Sequence, residues 1–228
     1  MIGIIVAEEK ELIEVKKIIK NIVIKNIFEK EFYIGNVEGK NVALVKANVG
    51  KVNSARICQI LIDNFDIELI INVGTAGSVN NDLEIGDVVV ATKLVQYDFD
   101  VTIFGRKLGE IENIGESIKV DKKLLELFDN NIYKGVIATG DKFITEIEEK
   151  TKIREQFNAL CIEMEGASIA QACFLCNIPF IVIRSITDKL DESVKIDFET
   201  FLSSSSKKAT KILKEFIIKY KKSIKYCI

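Results

Sequence analysis

The sequence predicts an α/β domain built around a central mixed β-sheet. Short β-branched apolar runs alternate with longer amphipathic stretches, which is the order of elements in layered α/β domains. One antiparallel hairpin signature interrupts that order and indicates that the sheet is mixed. Hydrophobic residues make up 48% and charged residues 29% of the 228 positions, a balance typical of globular chains. No Pro-, Gly- or Ser-rich linker divides the chain, so we expect one domain over residues 1–228.

The N-terminal part of the chain predicts a strand, a helix and a hairpin. Ile2–Val6 is an apolar run that predicts a buried strand. A helix follows from about Glu8, and its apolar face extends to Ile19; acids in its first turn and lysines later suit the helix dipole. Residues 32–37 and 42–46 flank the sequence Glu-Gly-Lys-Asn, a turn signature that predicts an antiparallel hairpin.

The rest of the chain continues the alternation of helices and strands. The pattern predicts helices over residues 54–65 and 165–176 and a last helix after Asp197, and strands over residues 69–73, 88–91, 135–139 and 180–186. Pro179 follows the helix over residues 165–176 and ends it, because proline cannot continue a helix. The last helix is indicated by the near-helical spacing of Phe201, Ala209, Leu213 and Phe216.

Charge and composition exclude several classes of partner. Lysine and arginine total 32 against 34 acids, a formal charge of -2, which offers no basic excess for a nucleic-acid backbone. No apolar run approaches the ~20 residues of a membrane span, and the N-terminal run turns acidic at Glu8, too early for a secretion signal. The five cysteines form no metal-ligand framework and suit reduced thiols. We therefore expect a cytoplasmic protein with no nucleic-acid and no membrane partner.

The chain contains no histidine. This excludes Ser-His-Asp triads, Cys-His pairs, histidine-ligated zinc and proton transfer by imidazole. Acid or base chemistry would fall to carboxylates, tyrosine, lysine or cysteine, and an enzyme with this composition would depend chiefly on Asp and Glu.

Small residues and acids follow several predicted strands. The segment 74–78, Gly-Thr-Ala-Gly-Ser, could let a backbone approach a ligand closely, or could simply form a tight turn. Glu11, Glu163, Glu165 and Asp188 lie near strand ends, where ligands gather in open α/β sheets. Each acid alone could equally be a solvated or helix-terminal residue.

A series of short blocks carries a family resemblance along nearly the full length of the chain. The blocks are GIIVAEEKE at 3–11, VGKV at 49–52, INVGTAG at 71–77, GDVVV at 86–90, DVT at 100–102, GDKFI at 140–144, EMEGA at 163–167 and RSITD at 184–188. In these blocks the chain resembles the 5′-methylthioadenosine/S-adenosylhomocysteine nucleosidases of the nucleoside phosphorylase and hydrolase superfamily. The resemblance implies a three-layer α/β/α sandwich with a central mixed sheet.

The resemblance also implies an activity and a set of roles. The enzyme would hydrolyse the N-glycosidic bond of 5′-methylthioadenosine, S-adenosylhomocysteine and 5′-deoxyadenosine in methionine salvage, with no cofactor or metal ion. Glu11 falls at the family's water-activating base, and Asp188 at its general acid for the departing adenine. Glu165 falls at the ribose-hydroxyl ligand, with Met164 against the sugar and base. The other implied substrate-binding residues are Phe143 stacking on the purine, Ile144 binding the base edge, Gly77 and Thr75 lining the pocket, and Arg184 holding the water and the carboxylates.

The 5′ end of the substrate is assigned to three apolar residues by the same resemblance. Val49, Val101 and Phe198 would surround the alkylthio group, with Val101 reaching into a neighbouring subunit's site, so a homodimer is expected. Glu8 departs from the family, which commonly has methionine there. Because a dry carboxylate is costly, Glu8 either turns towards solvent or allows the pocket to admit a polar tail.

The chemistry explains why carboxyl groups suit these positions. Breaking an N-glycosidic bond leaves positive charge on the ribose and negative charge on the purine, so carboxylates near the sugar and an acid at the base lower the barrier. An ordinary aspartate has a pKa of about 3.9, so we expect Asp188 to be desolvated with substrate bound. Glu11 must be ionised to accept a proton from water.

Two other functions compete with hydrolysis. A nucleoside phosphorylase of the same fold would use phosphate as the nucleophile, but the acids after the first strand would repel a dianion. A non-catalytic purine-nucleoside sensor would keep the pocket without turnover, and the presence of Glu11, Glu165 and Asp188 together argues against it.

Overall fold

The computed structural model describes residues 1–189 and 194–221, which contain ten strands, six α-helices and one short 3-10 helix at Thr102–Phe104. The strands are β1 (Ile2–Val6), β2 (Lys20–Ile27), β3 (Lys30–Val37), β4 (Lys40–Lys46), β5 (Leu69–Ser78), β6 (Val88–Gln96), β7 (Ile118–Lys119), β8 (Tyr133–Thr139), β9 (Ala159–Glu163) and β10 (Phe180–Asp188). The helices are α1 (Glu9–Lys16), α2 (Lys51–Asn64), α3 (Lys122–Leu125), α4 (Ile147–Phe157), α5 (Gly166–Leu175) and α6 (Val194–Lys219).

The sheet is mixed, as the sequence predicts, and part of it closes on itself. Strand β1 pairs in parallel with β4 and β5, and β2, β3 and β4 form an antiparallel meander at one end. Beyond β5 the order runs through β10, β6, β8 and β9, and β9 returns to pair with β5. These five strands form a ring without a free edge between them.

The helices cover the sheet and complete the three-layer sandwich. Helix α2 packs against α5, and α1 packs against α6, which also lies along β10 and β5. All residues of β1 and β10 are buried, as expected for strands covered on both faces. Within residues 1–189 and 194–221, no helix combines the length and apolar character needed to cross a membrane.

Several elements differ from the sequence-based expectation. The sequence does not predict strand β2, because its residues lack the apolar alternation of a half-buried strand. The strand lies at the sheet edge, where nearly every one of its residues is exposed. Helix α4 and strand β9 also lacked a clear pattern. The segment 74–78 is neither a tight turn nor a loop: it continues β5 to Ser78, held by parallel pairing with β10. Helix α6 begins at Val194, before Asp197.

The topology brings the candidate acids to one region of the fold. Strand β1 leads into α1, which carries Glu11 in its first turn. Strand β10 ends at Asp188, which pairs with Gly77 near the end of β5. Strand β9 ends at Glu163, immediately before Glu165 and α5. Parallel strands β1, β5 and β10 point their carboxyl ends to the same edge, so the residues that follow them meet there.

Candidate active site

A cavity of about 320 Å³ opens at this edge of the sheet. Of the residues singled out in the sequence as catalytic or substrate-binding, it is lined by Glu11, Val49, Thr75, Gly77, Phe143, Ile144, Met164, Glu165 and Asp188. Its other lining residues are Ala7, Glu8, Ala76, Lys142, Ile162, Glu163 and Thr187. Three residues with carboxyl groups that are far apart in the chain, at positions 11, 165 and 188, therefore line the same cavity.

Glu11 is buried, and main-chain groups hold both of its carboxylate oxygens. Oε2 accepts hydrogen bonds from the backbone N–H groups of Ala7 and Glu8, each at 2.9 Å. Oε1 accepts from the backbone N–H of Thr75 at 3.0 Å and lies 3.3 Å from its hydroxyl. Burial raises the pKa of Glu11, while these N–H groups and the Arg184 charge oppose the rise. The result is a fixed carboxylate with increased affinity for a proton.

Asp188 is buried at the end of β10. Its Oδ2 accepts a hydrogen bond from Lys150 Nζ at 2.8 Å, and the Thr187 hydroxyl lies 3.0 Å from its Oδ1. A Cβ atom on Gly77 would lie 2.6 Å from Oδ2, closer than side-chain atoms tolerate. Glycine at position 77 therefore leaves the space that this carboxyl group occupies.

Glu165 is buried between the starts of two helices. Its Oε1 accepts a hydrogen bond from the backbone N–H of Gly50 at 3.0 Å, and its Oε2 lies 3.7 Å from Arg184 Nη2. Burial, reinforced by the neighbouring charge of Glu163, raises the pKa of Glu165 to about 8, although Arg184 and the Gly50 N–H oppose the rise. This carboxyl group therefore binds a proton more readily than an ordinary glutamate.

A buried network behind the cavity fixes these groups. Arg184 pairs with Glu163 and donates to the Asn72 side chain. Glu163 also accepts from the backbone N–H of Glu165 at 3.0 Å and of Gly166 at 2.7 Å, and from the Thr139 hydroxyl. Arg184 was expected to hold the water and the carboxylates; it contacts two carboxylates but does not line the cavity. Glu163 is thus the shared acceptor that orients the start of α5.

The apolar residues predicted to bind substrate lie at different depths, and one of them lies outside the cavity. Ile144 is buried, Met164 is half-buried, and Phe143 is exposed at 46%, so an aromatic face borders the opening. Val49 lies at the rim, and Val101 lies outside the cavity beside the turn at Thr102–Phe104. The side chain of Phe198 falls outside the described residues. Sequence reasoning missed Lys150, because a lysine in a polar helix resembles a surface residue.

The arrangement suits cleavage of a bond that leaves a cation inside the cavity. Glu11, Glu165 and Asp188 supply negative charge or proton affinity around a space with mainly apolar walls. In such surroundings charges act more strongly than in water. One carboxyl group that binds protons more readily and another that is held by an ammonium group provide two different proton-transfer environments.

Comparisons with known proteins agree with this geometry. Residues 1–218 match the model of the phosphorylase superfamily. The chain is 35% identical over 225 residues to a 5′-methylthioadenosine/S-adenosylhomocysteine nucleosidase of Staphylococcus haemolyticus, covering 95% of this chain and 99% of the relative. It is 39% identical over 183 residues to an aminodeoxyfutalosine nucleosidase of Campylobacter jejuni, covering 77% and 80% of the two chains.

A solved structure extends the comparison to three dimensions. The S-adenosylhomocysteine nucleosidase of Streptococcus pyogenes, solved in complex with 5-methylthiotubericidin, superposes with a TM-score of 0.91 at 36% identity. The match covers 95% of this chain and 95% of the Streptococcus chain. The similarity therefore includes the whole arrangement of sheet and helices around the cavity.

Proposed function

Because the chain belongs to the phosphorylase superfamily, and within it to the 5′-methylthioadenosine/S-adenosylhomocysteine nucleosidases, we propose that it hydrolyses the bond between adenine and ribose in these two nucleosides. The single observation that supports this reaction most strongly is the convergence of Glu11, Glu165 and Asp188 on one cavity. The enzyme is an N-glycosyl hydrolase. In this proposal different residues bind the purine, the sugar and the 5′ tail of the substrate.

The purine occupies the part of the cavity between Phe143 and Asp188 in this proposal. The exposed ring of Phe143 stacks on the base, and the main chain of Ile144 binds its edge. Gly77 leaves room for the base beside the Asp188 carboxyl group. Asp188 then faces N7 of the purine, the atom whose protonation allows adenine to leave as a neutral molecule.

Glu165 and Glu11 act on the sugar and on water. Glu165 binds the ribose hydroxyls, with Met164 packed against the ring. Its raised pKa of about 8 permits a neutral form that binds substrate, and the positive charge that develops on the sugar favours the ionised form. Glu11 takes a proton from water, and its raised pKa makes it a better base than an ordinary glutamate.

The protons and electrons balance in this scheme. The oxygen of water bonds to C1′ while its proton passes to Glu11. The electron pair of the bond between C1′ and N9 moves to the purine, and Asp188 gives its proton to N7. Adenine and 5-methylthioribose leave, and exchange with solvent removes the proton from Glu11 and returns one to Asp188.

The geometry favours water over phosphate as the nucleophile. A phosphate dianion near Glu11 and Glu165 would meet repulsion in an apolar cavity. Arg184, a cation that could bind phosphate, is instead engaged by Glu163 and Asn72. The test is to measure adenine release from 5′-methylthioadenosine with and without inorganic phosphate. Equal rates with a free sugar product support hydrolysis. Dependence on phosphate with a sugar 1-phosphate product would identify a phosphorylase, and binding without release would identify a sensor.

The 5′ end of the substrate lies towards Glu8 and Val49 in this scheme. Glu8 lines the cavity but remains partly exposed, so its carboxylate keeps access to water. The fit of the 5′ substituent then decides which nucleosides are substrates. The proposed substrates include 5′-deoxyadenosine, and the proposed role of the enzyme is in methionine salvage. Rates of adenine release from 5′-methylthioadenosine, S-adenosylhomocysteine, 5′-deoxyadenosine and aminodeoxyfutalosine would rank these tails.

A homodimer is part of the proposal. Val52, Ile103 and Phe104 are large apolar residues exposed at 79%, 87% and 80%. The ion pair of Lys51 with Asp98 at 2.6 Å brings the start of α2 beside the segment that carries the other two. Large apolar side chains exposed on neighbouring segments are typical of interfaces.

The same surface adjoins the cavity. Val49 lies at the rim of the cavity, just before α2, and Val101 directly precedes the turn at Thr102–Phe104. A second copy packed on this face would let its Val101 segment complete the 5′ end of the neighbouring pocket. Light scattering that finds an active monomer would refute the dimer.

Two further expectations remain proposals. All ten described strands belong to one sheet, which supports a single domain for the chain. The burial of Cys58, Cys161 and Cys173 as free thiols supports a reducing, cytoplasmic location.

A further inference from the structure

A lysine that the proposed mechanism does not use lies against the proposed general acid. Lys150, in the first turn of α4, is fully buried. Its Nζ donates to Asp188 Oδ2 at 2.8 Å and to the backbone oxygen of Lys189 at 2.9 Å. Lysine is rarely buried completely, and the cost of taking both charged groups out of water offsets much of the attraction within a buried ion pair. Stability alone therefore does not account for this residue.

The ammonium group of Lys150 has two consequences for Asp188. With the Thr187 hydroxyl 3.0 Å from Oδ1 and Lys150 on Oδ2, both carboxyl oxygens are engaged and the plane of the group is fixed. A positive charge at this distance also favours the ionised carboxylate over the protonated acid. Burial acts in the opposite direction and favours the protonated acid.

The surroundings contain other charges, and among the described side chains Lys150 is a cation hydrogen-bonded directly to Asp188. Lys189 directs its own ammonium group to Glu84 at 2.8 Å, and Arg184 pairs with Glu163. Among the described side chains, the titratable groups near this corner include Lys150 on α4, Cys161 and Glu163 on β9, and Arg184 on β10.

We propose that Lys150 is a positioning residue that makes Asp188 a stronger acid, so that the carboxyl group releases its proton to the departing adenine more readily. This inference rests on the proposed function. The proton moves from Asp188 to purine N7 as the glycosidic electron pair enters the base, and the hydrogen bond from Lys150 stabilises the carboxylate that remains. Without Lys150, the buried carboxyl group would hold its proton to higher pH and transfer it more slowly.

The test is the pH dependence of kcat/KM for adenine release from 5′-methylthioadenosine, between pH 5 and pH 10. The variants are Lys150→Gln, which keeps a hydrogen-bond donor without charge, and Lys150→Arg, which keeps the charge. Lys152→Gln, at an exposed position of the same helix, is the matched control. For Lys150→Gln the pH at which activity falls by half on the alkaline side rises by about one to three units, and kcat falls on the order of tenfold. Lys150→Arg and the control retain the wild-type profile.

Two outcomes would overturn the inference. An unchanged alkaline limb with reduced activity in Lys150→Gln would mean that Lys150 only supports the fold. A limb that moves to lower pH would mean that Lys150 itself supplies the proton. If wild-type protein released no adenine, the proposed function would fail instead.

A second measurement does not depend on the folding of any Lys150 variant. Difference infrared spectra of substrate-free wild type against Asp188→Asn, recorded between pH 5 and pH 10, should contain a protonated-carboxyl band from Asp188 that gives way to a carboxylate band over the alkaline limb of kcat/KM. A protonated band that persists beyond that limb would contradict the role assigned to Lys150.

Discussion

Replacing Glu11 with glutamine separates the chemistry of this residue from its structural role. Four contacts hold the glutamate: three backbone N–H groups and the Thr75 hydroxyl. Glutamine has one acceptor oxygen, so its NH₂ group must face the N–H of Thr75 or those of Ala7 and Glu8. At least one buried backbone donor loses its partner, which costs about 1–3 kcal/mol.

A second effect opposes that loss of stability. Burial raises the pKa of Glu11, so the ionised side chain is itself destabilising relative to a neutral one. Removing the charge offsets part of the cost of the lost hydrogen bond. We therefore expect Glu11→Gln to fold with a Tm lowered by no more than about 12 °C, using about 2–4 °C per kcal/mol for a chain of this size.

The effect on catalysis should be much larger than the effect on folding. Loss of a general base lowers kcat by roughly 10²–10⁴-fold, while purine contacts and therefore substrate binding remain. The assay follows adenine release from 5′-methylthioadenosine at saturating concentration, with Tm from circular dichroism. Glu14→Gln is the matched control, because Glu14 lies in the same helix and pairs with Lys17 instead of the cavity. A folded Glu11→Gln protein within about threefold of wild-type kcat would refute the assignment of Glu11 as the base.

Three further predictions follow from the site and the apolar surface. Gly77→Ala should lower kcat/KM at least tenfold without unfolding the protein, because the new Cβ would lie 2.6 Å from Asp188 Oδ2; normal kinetics would show that this approach is unimportant. Glu165 has a pKa raised from 4.5 to about 8, so its contribution to stability is complete below about pH 4.5 and is lost as pH rises through about 8. The Tm of wild type should therefore fall over that range more steeply than that of Glu165→Gln, and parallel curves would contradict the shift. The double change Ile103→Asp with Phe104→Ser should yield monomers in light scattering and reduce activity, whereas an intact dimer would exclude this surface.

Sequence reasoning singled out acids that line one cavity, and it could do so for a physical reason. Glu11, Glu165 and Asp188 each follow or end a strongly apolar strand, and the ends of parallel strands meet at one sheet edge. The family was identified from the order of short sequence blocks, because each acid taken singly had an ordinary structural explanation.

The parts that were missed depend on contacts between distant segments. The pairing of β9 with β5 closes the ring through only two residue pairs, Gly77 with Ile162 and Ser78 with Cys161, and no local pattern encodes it. Lys150 lies in a helix rich in charged residues, so its burial follows only from the position of α4 against the end of β10. Glu163 resembled another strand-end acid, and its role as the shared acceptor requires Arg184 from β10.

The most direct test of the account is a crystal structure of Asp188→Asn soaked with 5′-methylthioadenosine. We predict an intact nucleoside with N7 within hydrogen-bond distance of the residue-188 side chain, ribose hydroxyls bound by Glu165, and a water between Glu11 and C1′. A nucleoside bound elsewhere, or one with its purine directed towards Glu11, would contradict the placement of the three carboxyl groups around one sugar.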